Sequence, residues 1–306
     1  MTSTGMCALW VCCGRSGKPS NKRLKLTRHS SPLPTCVTFW RRNQAVPAAR
    51  SACAAQLSRE PLGRDTKLVV VPDKFAPGMA LQLARFREAL ADGMPRRGWK
   101  IGINVPEMLR LLDLPHPGVG WLDGLRVFSA GTELKRPPDA RLRVEPEVAL
   151  SLSKVVPPGC SAETARECIA TVHPALEIVN YARPSSGLDD VVAHCMFHDA
   201  TILGPPASLE AAHDLGAELP ILRVGSQFSD PPRRDLVPAD LGQLVVFVAG
   251  YLAAFGQSLE PDDLLLSGSY TAKALAIEAG EEAVAEFGPL GIVSASVAAQ
   301  QQRGCS

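Results

Sequence analysis

Two glutamates, Glu145 and Glu147, lie two positions apart within the mostly apolar run of residues 144–152. Such a run predicts a strand, and alternate residues of a strand project from the same face. A third acid, Glu177, lies in another apolar run, residues 174–179, where a charge needs a partner. Three carboxylates with room for water suit Mg²⁺ or Mn²⁺ better than Zn²⁺. The alternative is that the Glu-x-Glu pair is ordinary solvated surface.

Lys100 occupies the middle of an apolar strand pattern, residues 98–102, that has a glycine at each end. Glycine in a strand can mark a place where backbone approaches a ligand. A partly buried lysine can act in acid/base chemistry or hold a substrate carboxylate. Alternatively, Lys100 lies on an edge strand and extends its charged end into water.

His194 and His198 are four residues apart, a spacing that a helix would place on one face. Together with Cys195 they could form half of a zinc site, but no other Cys/His pair supplies the remaining ligands. We therefore interpret His198 as a catalytic, substrate-facing histidine, with a structural histidine as the alternative.

A short apolar strand pattern at residues 264–266 leads into a turn rich in hydroxyl groups. Backbone N–H groups of this turn and the hydroxyls of Ser269 and Thr271 could bind an anionic substrate. A turn without a binding role is the alternative. The chain has no Gly-x-Ser-x-Gly sequence that would indicate a serine nucleophile.

The hydrophobic pattern predicts many short strands and a few helices. Strands are predicted at residues 68–71, 99–103, 125–128, 143–152, 174–180, 200–203, 221–225, 262–267, 282–287 and 291–297, and helices at 79–90, 106–112, 161–171 and 240–255. Strands and helices do not alternate regularly, which argues for an α+β fold rather than a doubly wound sheet.

Composition divides the 306 residues into a basic leader and an acidic body. Residues 1–59 contain ten Lys/Arg and no Asp or Glu, which leaves 22 basic and 31 acidic residues in the rest of the chain. We predict a disordered basic leader at 1–64, a catalytic domain at 65–300 and a tail at 301–306. The leader is a disordered extension, a stretch outside the native reading frame, an organelle transit peptide or a basic nucleic-acid-binding patch. The cysteine spacing fits a reducing compartment.

Five ordered motifs resemble the 2-keto-4-pentenoate hydratase branch of the fumarylacetoacetate hydrolase superfamily. They are residues 98–102, 144–149, 174–179, 266–271 and 287–294. The resemblance implies an α+β, β-rich fold with mixed sheets and a few packed helices. It also implies that Mg²⁺ or Mn²⁺ is held by Glu145, Glu147 and Glu177, and that Lys100 and the Ser269 turn face the substrate.

The resemblance implies a hydratase in aromatic-compound catabolism that acts on a small 2-hydroxydienoate or 2-oxo acid such as 2-keto-4-pentenoate. The alternatives are a decarboxylase or C–C hydrolase of the same superfamily, or a non-catalytic binding or assembly relative. We expect a cytoplasmic homo-oligomer whose partner is a small 2-oxo acid. No apolar run approaches the roughly 20 residues of a membrane helix, so we expect no membrane partner, and no nucleic-acid partner.

Overall fold

A computed structural model describes residues 73–183, 185–212 and 219–299, all within one compact unit, Glu60–Ser306. The predicted leader, the tail and the strand at 68–71 lie outside the described residues. The helices are α1 (Ala76–Ala91), α2 (Pro106–Leu111), α3 (Ala162–Arg166), α4 (Leu188–Ala193) and α5 (Leu241–Ala253). The strands are β1 (Gly98–Gly102), β2 (Gly118–Trp121), β3 (Val127–Ser129), β4 (Thr132–Leu134), β5 (Leu142–Leu152), β6 (Ile169–Asn180), β7 (His198–Leu203), β8 (Ile221–Val224), β9 (Gln227–Phe228), β10 (Leu264–Leu266), β11 (Leu275–Ala276), β12 (Glu282–Glu286) and β13 (Ile292–Val297).

The larger of two sheets has eight strands, with β2-β1-β10-β5-β6-β7-β3 as its main order and β11 added to β5. Its centre is the antiparallel pair β5 and β6, which are 11 and 12 residues long. Apolar side chains line most of both strands, and their burial on both faces explains why these are not simple alternating patterns. Strands β1 and β10 are parallel, whereas β10 and β5 are antiparallel, so the sheet is mixed.

The smaller sheet has five strands in the order β4-β13-β12-β8-β9. Its strands β12 and β13 contact β6, so the two sheets pack face to face. Leu176 and Ile178 of β6 are fully buried and, by strand alternation, project from the face opposite to Glu177. The apolar layer between the sheets therefore fixes the orientation of β6 and, with it, the direction in which Glu177 points.

Helices α1 and α5 cover parts of the larger sheet. Phe86 of α1 packs edge-on against Trp99 of β1 with ring centroids 5.3 Å apart. Helix α5 contacts α3 and β2 and buries Val245, Val248 and Leu252, as its helical stripe predicts. Asp240 begins α5 as an N-cap, because its carboxylate accepts hydrogen bonds from the N–H groups of the first turn.

The prediction of an α+β fold with mixed sheets and a few packed helices is confirmed. The helix predicted at 161–171 is wrong beyond Arg166, because β6 already begins at Ile169 and pairs with β5. Strand β2 was not predicted, since the alternating glycines Gly118 and Gly120 hide its apolar pattern. Within the described part of the chain, no helix combines the length and apolar character needed to cross a membrane.

Candidate functional site

The three predicted acids meet at the centre of the larger sheet. Glu145 of β5 is the direct cross-strand partner of Glu177 of β6, and Glu147 follows two positions along the same face. One carboxylate oxygen from each residue lies within 4.8 Å of the other two. Like charges placed directly opposite each other destabilise a sheet. The strand register therefore creates a site that needs positive charge.

Lys100 supplies part of that charge from β1. Its ammonium group lies 2.5 Å from Glu177 Oε1, and only 2% of the lysine side chain is exposed. The alternative of an edge-strand lysine that reaches water is therefore wrong: β2 and β10 flank β1 and enclose Lys100. With all three acids ionised, Lys100 leaves two negative charges without compensation, the charge of one divalent cation.

The remaining carboxylate oxygens also fit a cation. Glu147 Oε2 accepts a hydrogen bond of 2.9 Å from the Gly268 N–H. Glu147 Oε1 and Glu177 Oε2 are buried and have no hydrogen-bond partner among the described residues. Buried polar atoms normally have a partner. Hard carboxylate oxygens in this arrangement match Mg²⁺ or Mn²⁺, so the donor set fits the predicted metal.

The proton affinities of these groups reflect their burial and crowding. Burial, together with the charge of Glu177, raises the pKa of Glu145 to about 7 and that of Glu147 well above its ordinary value. Burial also opposes ionisation of Glu177, but Lys100 and His198 lower its pKa below the ordinary value. For Lys100 the three carboxylates outweigh burial and raise the pKa. The metal-free site is therefore poised to hold protons in place of a cation.

His198 lies behind Glu177. Its Nδ1 is 2.8 Å from Glu177 Oε1, and the side chain is almost fully buried. Because a carboxylate can only accept, we assign the proton to Nδ1. His198 lines a cleft of about 310 Å³ and not the cavity of about 770 Å³ whose wall contains Lys100 and Glu145. The structure thus places this predicted catalytic residue against a candidate metal ligand and outside the wall of that cavity.

No helix spans His194 and His198, so the spacing that a helix would place on one face does not do so here. Helix α4 ends at Ala193, and Cys195, Met196 and Phe197 follow in left-handed backbone conformations with φ between 51° and 68°. Three consecutive non-glycine residues in this region are strained. Both histidines line the cleft of about 310 Å³, but no zinc-type cluster of His and Cys occurs among the described residues.

Ser269 and Thr271 lie in the turn after β10. Ser269 lines the large cavity, and its hydroxyl donates to the Thr271 carbonyl at 3.0 Å. Thr271 is buried beneath it and is not among the cavity-lining residues. Gly268 has φ +90°, and a Cβ there would lie 2.9 Å from the Asn104 amide nitrogen. Only glycine thus brings this backbone N–H to Glu147 without strain.

A cavity of about 770 Å³ leads to the carboxylate site. Its polar wall includes Lys100, Glu145 and Ser269, which all carry predicted roles. Sequence reasoning missed other wall residues, including Met196, Phe197 and Arg233. Gly120 and Gly102 carry a sequence signal for Met196, because its side chain packs where their Cβ atoms would be. The cavity has room for an organic acid larger than pyruvate.

Known structures share this fold. The chain is similar to 4-oxalocrotonate decarboxylase from Pseudomonas putida G7, complexed with magnesium and adipate (22% identity, 73% of this chain and 86% of that chain covered, TM-score 0.67). It is also similar to fumarylpyruvate hydrolase from Pseudomonas aeruginosa in complex with Mn²⁺ and pyruvate (18% identity, 68% of this chain and 91% of that chain covered, TM-score 0.54). A third similar structure is 2-hydroxyhepta-2,4-diene-1,7-dioate isomerase from Mycobacterium marinum (18% identity, 68% of this chain and 78% of that chain covered, TM-score 0.54). At these identities the similarity establishes the fold.

No curated protein sequence matches the chain significantly. The profile of one protein family, described as fumarylacetoacetate (FAA) hydrolase C-terminal, matches residues 100–298. This match covers more than half of the chain and includes Lys100 of β1, the three glutamates and the Ser269 turn. The chain therefore belongs to the fumarylacetoacetate hydrolase C-terminal family.

Proposed function

We propose that this protein is a divalent-metal-dependent hydratase that acts on a small 2-oxo acid, or its 2-hydroxydienoate enol, such as 2-keto-4-pentenoate. The observation that carries the proposal is the trio Glu145, Glu147 and Glu177 beside Lys100, with Glu145 and Lys100 in the wall of one cavity. Solved relatives of the same fold contain magnesium with adipate, or Mn²⁺ with pyruvate, which supports a metal and an organic acid here.

Glu145, Glu147 and Glu177 would hold Mg²⁺ or Mn²⁺, and the unpartnered oxygens of Glu147 and Glu177 are available for that role. A bound cation would supply positive charge to stabilise negative charge on the 2-oxygen of the substrate. The Gly268 N–H fixes the Glu147 carboxylate by binding its other oxygen, Oε2. The sheet thus holds the acids in place before any ligand arrives.

Lys100 has two suitable roles. Its ammonium group lines the cavity and is held by Glu177, so it can bind the substrate carboxylate. It can also donate a proton to substrate carbon, since three N–H groups are present and Glu177 accepts only one. His198 acts through Glu177, which makes it a positioning residue.

Ser269 is the second polar group that faces the substrate. The Asn104 side-chain amide donates to the Ser269 carbonyl at 2.8 Å and holds the turn against β1. The Thr271 hydroxyl is hydrogen-bonded to the Ser269 hydroxyl and thereby orients it. We propose that Ser269 binds the anionic end of the substrate and that Thr271 supports it.

The reaction balances with water as the only co-substrate. In a 2-hydroxy-2,4-dienoate, a proton leaves the 2-hydroxyl and another reaches carbon 5, which leaves a 2-oxo group conjugated to a double bond between carbons 3 and 4. Water then adds its oxygen to carbon 4 and a proton to carbon 3. The product is a 4-hydroxy-2-oxo acid. Decarboxylation or C–C hydrolysis would use the same stabilisation of negative charge, so the products must distinguish them.

The test is to incubate the protein with 2-hydroxypenta-2,4-dienoate and Mg²⁺ or Mn²⁺ and to identify the products by NMR. We expect 4-hydroxy-2-oxopentanoate from the wild type and none from Glu147→Gln, while Glu133→Gln, at an exposed glutamate of β4, retains activity. Release of CO₂ from a 2-oxo dicarboxylate without hydration of the dienoate would favour the decarboxylase. Absence of any metal-dependent turnover would favour a non-catalytic relative.

We also propose that residues 65–300 form the catalytic domain, that the protein is a cytoplasmic homo-oligomer and that it serves aromatic-compound catabolism. Light scattering of the full chain tests the oligomer: a mass of one chain, 32.6 kDa, would contradict it.

A further inference from the structure

The walls of the large cavity change character with depth. Lys100, at the carboxylate site, is buried, whereas Leu111 and Met108 of α2 are 71% and 44% exposed. The deep end is therefore the polar end, and the mouth is formed in part by α2. Apolar side chains face the space between these ends, and they include Ile103, Val105, Met108, Leu111, Leu188 and Val191.

Helix α2 has no buried residue although half of its side chains are apolar. Met108 and Leu111 line the cavity from this helix, and Leu188 and Val191 line it from α4. Apolar surface that stays in contact with water is unfavourable, and a ligand that covers it gains affinity. Two short helices thus present an apolar cleft directly outside the polar end.

The cations at the mouth are already paired. Arg233 donates to Glu107 at 3.0 and 3.1 Å and to Asp235 at 2.9 and 2.5 Å. Lys273 lies 3.6 Å from Asp230. A distal carboxylate on the substrate would compete with these carboxylates for the same cations and would lose part of its hydration beside apolar walls. The mouth therefore disfavours a second negative charge.

We propose that the substrate is a 2-oxo acid whose distal end carries an aryl or branched alkyl group rather than a second carboxylate. This inference rests on the proposed function, because it takes the 2-oxo carboxylate to lie beside Lys100 and the three glutamates. The apolar group then lies between α2 and α4, where it covers Leu111 and Leu188. Leu111 is a specificity-determining residue in this arrangement.

The test is calorimetric binding of three probes to the full chain loaded with Mn²⁺: pyruvate, 4-phenyl-2-oxobutanoate and 2-oxoadipate. We expect the phenyl compound to bind at least tenfold more tightly than either other probe, and 2-oxoadipate to bind no more tightly than pyruvate. Tighter binding of 2-oxoadipate than of the phenyl compound would overturn the inference.

A matched pair of variants locates the effect. Leu111→Lys should remove most of the preference for the phenyl compound, whereas Leu125→Lys should retain it, since Leu125 is equally exposed at 68% but lies outside the cavity. Equal preferences in both variants would refute the role of Leu111.

Glu107→Gln removes one carboxylate from Arg233 and should strengthen binding of 2-oxoadipate; weaker binding would show that Glu107 does not mask Arg233.

Mn²⁺ binding measured without organic acid separates the two proposals. If Mn²⁺ and pyruvate bind but the phenyl group adds nothing, the inference about the substrate fails while the proposed function stands. If Mn²⁺ itself does not bind, the proposed function fails and the inference falls with it.

Discussion

Glu145 and Glu177 are direct cross-strand partners, and Glu177 at the same time holds Lys100 at 2.5 Å and His198 at 2.8 Å. One buried carboxylate oxygen, Glu177 Oε1, accepts from both Lys100 and His198, while the other, Oε2, has no partner among the described residues and is available to a ligand. This arrangement links the stability of the sheet to the occupancy of the site.

Lys100→Met should lower the free energy of unfolding of the metal-free protein by about 3 kcal/mol, because loss of one partner leaves a buried charge at Glu177. Urea unfolding with and without Mn²⁺ measures the effect, and Mn²⁺ should recover part of the loss. Lys135→Met is the control, since Lys135 is exposed. The prediction is wrong if both variants unfold at the same urea concentration.

His198→Leu should weaken Mn²⁺ binding by about tenfold, because losing a residue that orients a metal ligand typically lowers metal affinity by about that factor. His198→Asn retains an N–H donor near Glu177 and should restore most of the affinity. His194→Asn serves as the control, since His194 bonds the Asp190 carbonyl instead. Titration calorimetry measures all three, and equal affinities in His198→Leu and wild type would refute the positioning role.

The metal-free protein should lose stability as the pH rises from 5 to 8. The pKa of Glu145 is raised from 4.5 in the unfolded chain to about 7 in the folded protein. Its contribution to stability is therefore complete below pH 4.5 and is lost as the pH rises through about 7. Glu147, whose pKa is also raised, acts in the same direction. The lowered pKa of Glu177 acts below pH 4.5 and the raised pKa of Lys100 above pH 10.5, both outside this window.

Thermal midpoints across this pH range, measured in EDTA, test the prediction. Glu145→Gln should flatten the curve, and saturating Mn²⁺ should reverse its slope, because the metal binds only the ionised carboxylates. A midpoint in EDTA that rises between pH 5 and 8 would contradict the pKa directions given above.

Asp240→Ala should lower the free energy of unfolding by about 1 kcal/mol, because it removes the N-cap of α5. The carboxylate accepts from Gly242 N at 2.7 Å and also pairs with Arg166 at 3.1 Å. Asp240→Asn keeps a capping oxygen and should lose less. Urea unfolding compares the variants, and Mn²⁺ affinity should be unchanged in both; a changed affinity would mean that α5 and the site are coupled.

The candidate ligands could be predicted because charged residues inside apolar strand patterns are unusual and therefore informative. The spacing of Glu145 and Glu147 fixed only that they share a face. Their pairing with Glu177 depends on the register between β5 and β6, which is set by the packing of both strands and not by any local pattern.

Other parts of the site could not be predicted from local sequence. The left-handed turn at Cys195–Phe197 has no glycine to indicate it, so the spacing of His194 and His198 does not reveal that the chain turns between them. Arg233 and Glu107 are 126 positions apart, and only the tertiary fold brings them together at the cavity mouth.

The most direct test of the three-carboxylate site is the stoichiometry of Mn²⁺ binding in wild type and Glu147→Gln, measured by electron paramagnetic resonance at pH 8. Gln keeps the shape of the side chain but removes the charge, and Glu133→Gln controls for loss of one surface charge. We predict one tightly bound Mn²⁺ per chain in the wild type and in Glu133→Gln, and none at the same concentration in Glu147→Gln. Equal binding in wild type and Glu147→Gln, or no binding in the wild type, would contradict the account.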